Sequence, residues 1–218
     1  MNTPPRISPG QTLENPVTGE RFTFTHTAAS TGGELLAFDF ALRPGGAVPI
    51  PHVHPIQTER FEMLAGRMRF RVGLRTIIAG PGDVIEVAPG VAHSFANAGE
   101  HEARLRVEVR PALRMEEMFA EVIAMAEAGR LTRRGMPRNV LDLARLARKY
   151  DQEAHAPLLT VGTQRLLLAP LVLATRRPRF GWPRRWPAPS GSTRSHKAPS
   201  HSWTFADAIA HLGYGRSC

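Results

Sequence analysis

The stretch that decides the fold is GAVPIPHVHPIQTERFEMLAG, at residues 46–66. His52 and His54 are two residues apart, and on a strand this spacing points both imidazoles to the same face. Pro55 then interrupts the strand, and Glu59 follows at the start of the next apolar run. The pattern indicates two successive strands that supply imidazole and carboxylate groups.

A second stretch, GDVIEVAPGVAHSFAN at residues 82–97, brings a third histidine out of a Pro-Gly turn. Three imidazoles and one carboxylate are ligands that suit Fe, Mn, Ni, Cu or Zn better than Ca or Mg. The sequence therefore predicts one divalent transition metal ion, whose identity the residues leave open. The candidate ligands are His52, His54, Glu59 and His93.

Residues 20–112 have the alternation of β structure. Apolar and polar or small residues alternate over 36–42, 67–72 and 104–110, and turn residues such as Gly80-Pro81-Gly82 separate the apolar runs. A period of two places one face of each strand in the core and the other in solvent. Short strands at this spacing predict an antiparallel sandwich or barrel.

The period changes to a helical one over residues 113–175. Apolar residues from Met115 to Ala126 recur at helical spacing, and Asn139 is a candidate cap for a second helix that ends near Tyr150. A third helix is expected at about 158–175, kinked or split at Pro170. We interpret the methionines and aromatic residues of this zone as core.

The two ends of the chain differ from the rest in composition. Residues 1–19 are predicted to form an irregular arm. The formal net charge is +9, but residues 176–218 contain eight Lys and Arg and one acid, Asp207, so the tail carries +7. With five prolines in addition, the tail is predicted to be disordered, with surface contact to a membrane as a secondary interpretation. Nucleic-acid binding is disfavoured, because the remaining 20 basic and 18 acidic residues leave only +2.

Cysteine use and hydropathy favour a cytoplasmic protein. The single cysteine, Cys218, excludes an internal disulfide framework. The first residues lack the apolar segment of a secretory signal, and no apolar run approaches the roughly 20 residues of a membrane span.

The two histidine stretches resemble the two motifs of the cupin superfamily, G-x5-H-x-H-x4-E-x6-G and G-x5-P-x-G-x2-H-x3-N. The first motif is matched at every position, by Gly46, His52, His54, Glu59 and Gly66. The second is matched by Gly82, Gly90, His93 and Asn97. Ala88 stands where this motif has proline, although Pro89 follows at once, so the departure affects a turn rather than a ligand. The resemblance covers about residues 30–112.

The resemblance implies a mainly β protein, a double-stranded β-helix barrel over 20–112, here followed by a small helical extension and the tail. It implies that His52, His54, Glu59 and His93 bind the metal and that Asn97 is a turn residue. It also implies a homodimer formed through exposed sheet edges. The remaining histidines fit no ligand spacing and are interpreted as surface or tail residues; they are His26, His101, His155, His196, His201 and His211.

Two functions remain open at this stage, since a fold does not fix a function. The first is a metal-dependent, dioxygenase-like oxidoreductase that acts on a small hydrophobic or aromatic molecule, with Glu59 as a base if it can leave the metal. Gln57 would then be a donor beside the ligands, and the apolar residues expected to line the barrel are Phe38, Phe40, Phe61, Met63, Phe70 and Phe95. The second is a non-catalytic cupin that binds or senses a small ligand. A two-barrel decarboxylase, a transcription factor and a sugar isomerase are disfavoured, because the barrel is single, no helix-turn-helix precedes it and the chain is short.

Overall fold

The computed structural model describes residues 6–48, 51–157 and 159–173. In these ranges nine strands precede three helices. The strands are β1 (Thr12–Glu14), β2 (Glu20–His26), β3 (Leu36–Leu42), β4 (Thr58–Ala65), β5 (Met68–Val72), β6 (Arg75–Ala79), β7 (Val84–Val87), β8 (His93–Asn97) and β9 (Ala103–Arg110). The helices are α1 (Met115–Glu127), α2 (Val140–Lys149) and α3 (Val161–Leu173).

The strands form two antiparallel sheets with the core between them. One sheet has the order β1-β2-β3-β9-β4-β7 and the other the order β6-β5-β8. The ring of Phe61 on β4 lies 5.1 Å from that of Phe70 on β5 and 5.2 Å from that of Phe95 on β8, so aromatic rings join the two sheets. The predicted mainly β barrel with a helical extension is confirmed.

The alternation in the sequence identifies the inner face correctly. On β9 the odd-numbered residues from Ala103 to Val109 are buried and the intervening residues are largely exposed. Strand β3 departs from this pattern, because Ala37 and Ala41 on its outer face are also buried. Ala41 pairs with Arg21 and Arg104 on the flanking strands, and these long side chains shield its single methyl group.

The predicted irregular arm contains a strand, which corrects that prediction. Residues Thr12–Glu14 pair with Arg21–Thr23 of β2, and Leu13 between them is buried. A three-residue strand is too short to show a period in the sequence, and only the pairing with β2 reveals it.

The helical extension has the predicted number of helices. The side chain of Asn139 accepts a hydrogen bond from Leu141 N, which confirms the predicted cap of α2. Helix α3 continues through Pro170 as one helix, so the helix is not split at this residue. The predicted tail, residues 176–218, lies outside the described residues. Among the described residues no helix combines the length and apolar character needed to cross a membrane.

Gly66, at the end of β4, lies very close to the backbone at the start of β9. Its φ is +78°, and a Cβ there would lie 2.7 Å from Ala103 Cα and 2.9 Å from Glu102 O. Gly73 also has a positive φ, +56°, but a Cβ there would meet nothing within 4 Å. We expect Gly73→Ala to cost about 1–2 kcal/mol of unfolding free energy from the left-handed conformation alone. Gly66→Ala should cost clearly more, because the β9 backbone must also move. Urea denaturation measures both, and equal losses would contradict the close approach.

Candidate metal centre

Three imidazoles and one carboxylate converge inside the barrel. The potential ligand atoms of His52, His54, Glu59 and His93 all lie within 4.8 Å of one another. Glu59 is the first inward residue of β4, and His93 is the first residue of β8. The backbone of His52 forms a two-bond bridge with that of His93, which brings the 51–54 segment against β8. The structure thus brings together all four ligands predicted from the sequence.

Glu59 stands at the centre of this group. Its Oε2 atom lies 3.2 Å from His54 Nε2 and 2.9 Å from His93 Nε2. His54, Glu59 and His93 are buried, whereas His52 is partly exposed. The group is therefore largely shielded from water, with His52 as its most accessible member.

The opposite nitrogen of two rings faces a backbone carbonyl. His54 Nδ1 contacts the carbonyl of Glu153, and His93 Nδ1 lies 3.3 Å from the carbonyl of Val91. A carbonyl oxygen only accepts hydrogen bonds, so each Nδ1 carries the proton. In the neutral rings the Nε2 lone pairs then point at Glu59. A second ring nitrogen that donates its proton to a backbone carbonyl is usual for histidines that bind metals.

This arrangement needs a positive charge at its centre. Burial lowers the pKa of His54, but the hydrogen bond and the charge of Glu59, together with the Glu153 carbonyl, raise it more, so the net pKa is raised. Burial likewise opposes ionisation of Glu59, yet the hydrogen bonds and charges of His54 and His93 hold its pKa well below the usual range. Both shifts express the attraction between the Glu59 carboxylate and positive charge on the neighbouring histidines, and a bound cation would supply the same attraction.

The residues fit a divalent transition metal. Metal–ligand bonds of about 2.0–2.2 Å place ligand atoms within about 4.4 Å of one another, so the observed 4.8 Å limit requires only a small contraction. The cation would replace the protons that the imidazoles otherwise hold against Glu59.

An apolar cavity of about 270 Å³ opens directly on this group. Its walls include His52, His54 and Glu59, and also four of the predicted lining residues, Phe38, Phe40, Phe61 and Phe95. Met63 and Phe70 do not line it, which corrects their prediction; they are fully buried in the barrel core. Alternation assigned them correctly to the inner face, but a residue on that face can pack against other side chains instead of lining the open space.

Gln57 has a different role from the one predicted. Its amide nitrogen donates to the carbonyls of Pro111 and Ala112, which follow β9, and it does not line the cavity. Gln57 therefore ties β4 to the start of the helical extension rather than supporting a ligand. Asn97 fits the predicted turn role, because it donates to the carbonyls of Leu42 and His101 and accepts from Gly99 N.

The helical extension forms the rest of the cavity wall. Helices α1 and α2 and the loop between them supply a continuous apolar surface, formed by Met115, Met118, Phe119, Val122, Ile123, Met136, Leu143 and Leu146. The ring of Phe119 stacks on that of Phe22 at 4.7 Å and meets that of Phe38 at 5.6 Å. The helical period of α1 was visible in the sequence, but it is equally typical of core packing.

A short segment after α2 connects this extension to the ligands. His155 and Val53 exchange two backbone hydrogen bonds of 3.0 Å, so the segment pairs with the histidine stretch. The same segment supplies the Glu153 carbonyl to His54, while the Glu153 carboxylate accepts a hydrogen bond from Arg114 N at the start of α1. His155, which the spacing had excluded as a ligand, thus contributes through its backbone.

Comparison with known proteins identifies the barrel. A family model described as the cupin domain matches residues 38–109. The chain therefore contains a cupin domain. A comparison with curated proteins gave no significant match.

Several solved structures resemble the chain over about half of its length. A predicted oxalate decarboxylase from Thermotoga maritima is 19% identical, with 46% of this chain and 90% of that chain covered and a TM-score of 0.42. An RmlC-like cupin from Shewanella frigidimarina is 18% identical, with 49% and 88% covered and a TM-score of 0.42. KdgF from a Halomonas species is 14% identical, with 46% and 86% covered and a TM-score of 0.41.

The metal site of the cupin domain can be tested by ligand removal. We expect His54→Ala and His93→Ala to lose most of the bound metal, because each removes one of four ligands. His26→Ala and His101→Ala are matched controls, since these exposed residues lie outside the cluster. Elemental analysis of the purified variants gives the metal content per chain. Parent stoichiometry in both ligand variants would show that the assignment is wrong.

Asp151 holds the segment that supports His54, and its contribution should depend on pH. Its carboxylate accepts two hydrogen bonds from Arg165, of 2.6 and 2.7 Å, and pairs with Arg148. The hydrogen bond from Arg165 is the main reason that the pKa of Asp151 is lowered. A lowered pKa in the folded state contributes stability above the unfolded pKa of about 3.9 and loses it as the pH falls through the folded value.

We therefore expect Asp151→Asn to lower the melting temperature at pH 7 and to approach the wild type below about pH 4, near the ordinary pKa of aspartate. Asp39→Asn is the control, because Asp39 pairs with Arg106 at 3.4 Å on an exposed surface. Thermal denaturation across this pH range provides the measurement. A difference between wild type and Asp151→Asn that is constant with pH would rule out the ionic contribution.

Proposed function

We propose that this cupin is a metal-dependent oxidoreductase, dioxygenase-like, that acts on a small hydrophobic or aromatic molecule. The observation that carries the proposal is the opening of a three-histidine, one-glutamate group onto an aromatic cavity of about 270 Å³. When bound, a redox-active metal ion supplies Lewis acidity and electron transfer to dioxygen chemistry. Four protein ligands leave coordination positions open on an ion that accepts five or six.

The chain's own residues fix the geometry of this site. The carbonyls of Glu153 and Val91 keep the Nδ1 protons of His54 and His93 in place, so both Nε2 atoms face Glu59. The phenylalanine rings of the barrel and of α1 exclude water from the space beside the ligands. An apolar molecule in that space is held by burial of its surface and by ring contacts.

The lining argues against anionic substrates. Among the described residues that line the cavity there is no Arg and no Lys. Carboxylates and phosphates are usually bound by these side chains, often in bidentate geometry. A sugar phosphate or a dicarboxylate would therefore find only the metal itself as a positive partner, which favours a neutral, apolar substrate.

A second candidate is a non-catalytic cupin that binds or senses a small ligand. The favouring observation is that His54 and His93 are both within hydrogen-bonding distance of Glu59. With both rings protonated, the group satisfies its own hydrogen-bonding needs, so the cavity can persist without a metal. This candidate predicts a folded, metal-free protein that still binds apolar molecules.

Elemental analysis of the purified full chain and an oxygen electrode separate the two candidates. The oxidoreductase should contain about one Fe, Mn, Ni or Cu per chain and should consume dioxygen with at least one member of a panel of small aromatic compounds. His93→Ala should abolish this uptake, whereas the control His101→Ala should retain it. A metal-free or zinc-only protein that consumes no dioxygen would support the binding protein instead.

We also propose that the protein is a homodimer, as expected from the sequence. Ile78 on β6 and Val84 on β7 are exposed apolar side chains on outer strands of the two sheets, where a second chain can add. Light scattering at micromolar concentration should give twice the chain mass, and Ile78→Lys or Val84→Lys should reduce it toward one chain mass. A wild-type mass of one chain would refute the dimer.

A further inference from the structure

Glu20 is an acidic residue on the inner face of the barrel, where most other residues are apolar. It begins β2, and alternation places it on the same inner face as Phe22 and Phe24. It lines the same cavity as the histidine group. It is partly buried, and burial raises the pKa of its carboxyl group, although the hydrogen bonds from Thr18 and Asn15 oppose this effect.

The hydrogen bonds of Glu20 occupy only one of its oxygens. Oε2 accepts from Thr18 Oγ1 at 2.6 Å and from Asn15 Nδ2 at 3.2 Å. In the described part of the chain, Oε1 accepts no hydrogen bond from the protein and no cation pairs with the carboxylate. A partly buried carboxyl group without a charged partner is costly, and such groups occur preferentially at functional sites.

The strand register separates Glu20 from the metal ligands. Glu20 pairs with Leu42 at the end of β3, whereas Glu59 is level with Val109, which pairs with Leu36 at the start of β3. The two carboxylates therefore lie toward opposite ends of the strands that enclose the cavity. Between them the wall is built mainly from phenylalanine and aliphatic side chains.

We propose that Glu20, through Oε1, is a specificity-determining anchor that binds a hydroxyl group of the substrate at the end of the cavity away from the metal ligands. The inference rests on the proposed function, because it takes this cavity as the substrate site. It narrows the substrate class to an elongated, neutral, apolar molecule with a hydroxyl group at one end. Thr18 and Asn15 position the carboxyl group by holding Oε2.

A hydroxyl group suits this environment better than an ammonium group. A hydroxyl group both donates and accepts, so it can bind Glu20 whether the carboxyl group is ionised or protonated. An ammonium group would lose its hydration among largely apolar walls, and this desolvation would offset much of its attraction to the carboxylate.

The alternative role for Glu20 is to brace the turn between β1 and β2. Asn15 accepts backbone hydrogen bonds from Val17 and Thr18, so the same residues also organise that turn. A brace affects stability and leaves ligand selectivity unchanged. An anchor changes the preference for the hydroxyl group and leaves the affinity for the apolar part of the ligand unchanged.

Calorimetric titration of the full-length protein with 2-phenylethanol, ethylbenzene and 2-phenylethylamine distinguishes these roles. We expect the wild type to bind 2-phenylethanol about tenfold more tightly than ethylbenzene, because a hydrogen bond to a carboxylate strengthens binding by about this factor. Glu20→Met keeps the length and removes the oxygens, so the preference should fall to within about twofold while ethylbenzene binds as before. Thr25→Val is the control, because Thr25 is an exposed residue of the same strand outside the cavity, and it should keep the preference.

Each other outcome has a defined meaning. If Glu20→Met retains the preference, or if the wild type shows none, Glu20 is not the anchor. If the amine binds more tightly than the alcohol, the hydroxyl assignment is wrong. If neither ethylbenzene nor 2-phenylethanol binds the wild type, the apolar cavity of the proposed function is itself wrong, and the anchor with it.

A second measurement covers the case in which Glu20→Met does not fold. The side-chain carboxyl ¹³C resonance of Glu20 in the wild type, assigned by its loss in Glu20→Gln, should shift with 2-phenylethanol and not with ethylbenzene. Equal responses to both compounds would overturn the proposal.

Discussion

The site depends on the convergence of His54 and His93 on a single oxygen of Glu59. Two imidazole nitrogens and a carboxylate oxygen cannot share a buried space unless a cation or bound protons neutralise them. Residues from three separate parts of the barrel create this demand: the 51–54 segment, β4 and β8. A metal ion held by these residues would satisfy it directly.

The helical extension forms part of the site and is not a separate appendage. The segment that follows α2 pairs with Val53 and presents the Glu153 carbonyl to His54, and Arg165 of α3 binds the neighbouring Asp151. Helix α1 closes the cavity with Phe119 against the aromatic rings of β2 and β3. Orientation of a ligand and enclosure of the cavity therefore have a common structural origin, and a change in helix packing acts on both.

The chemistry of the cavity limits what the site can accept. The predicted metal ligands are at one end, the walls are apolar and free of Arg and Lys among the described residues, and Glu20 is at the other end. Charge is thus confined to two places, and the space between them selects by shape and hydrophobicity. This distribution is the basis on which we propose a small, neutral molecule as the ligand.

The sequence by itself determined the barrel and the four residues that could hold a metal ion. Period-two alternation marks the inner faces of β5 and β9 because side chains of a strand point to opposite sides. The two-residue spacing of His52 and His54, with Glu59 and His93 at motif positions, indicated a metal site before any contact was known. These signals lie in short stretches of the sequence, so they can be recognised without knowledge of any tertiary contact.

Only the tertiary structure decided which inward residues meet empty space and which meet other side chains. Phe61 and Phe70 have the same alternation, yet Phe61 lines the cavity and Phe70 packs behind it, because sheet curvature and helix docking set the boundary. The roles of Glu20, Glu153 and Phe119 depend on contacts between residues far apart in the chain. The pairing of β1 and the contacts of Gln57 likewise depend on how separate segments pack together. The spacing of apolar residues in the sequence does not predict this packing.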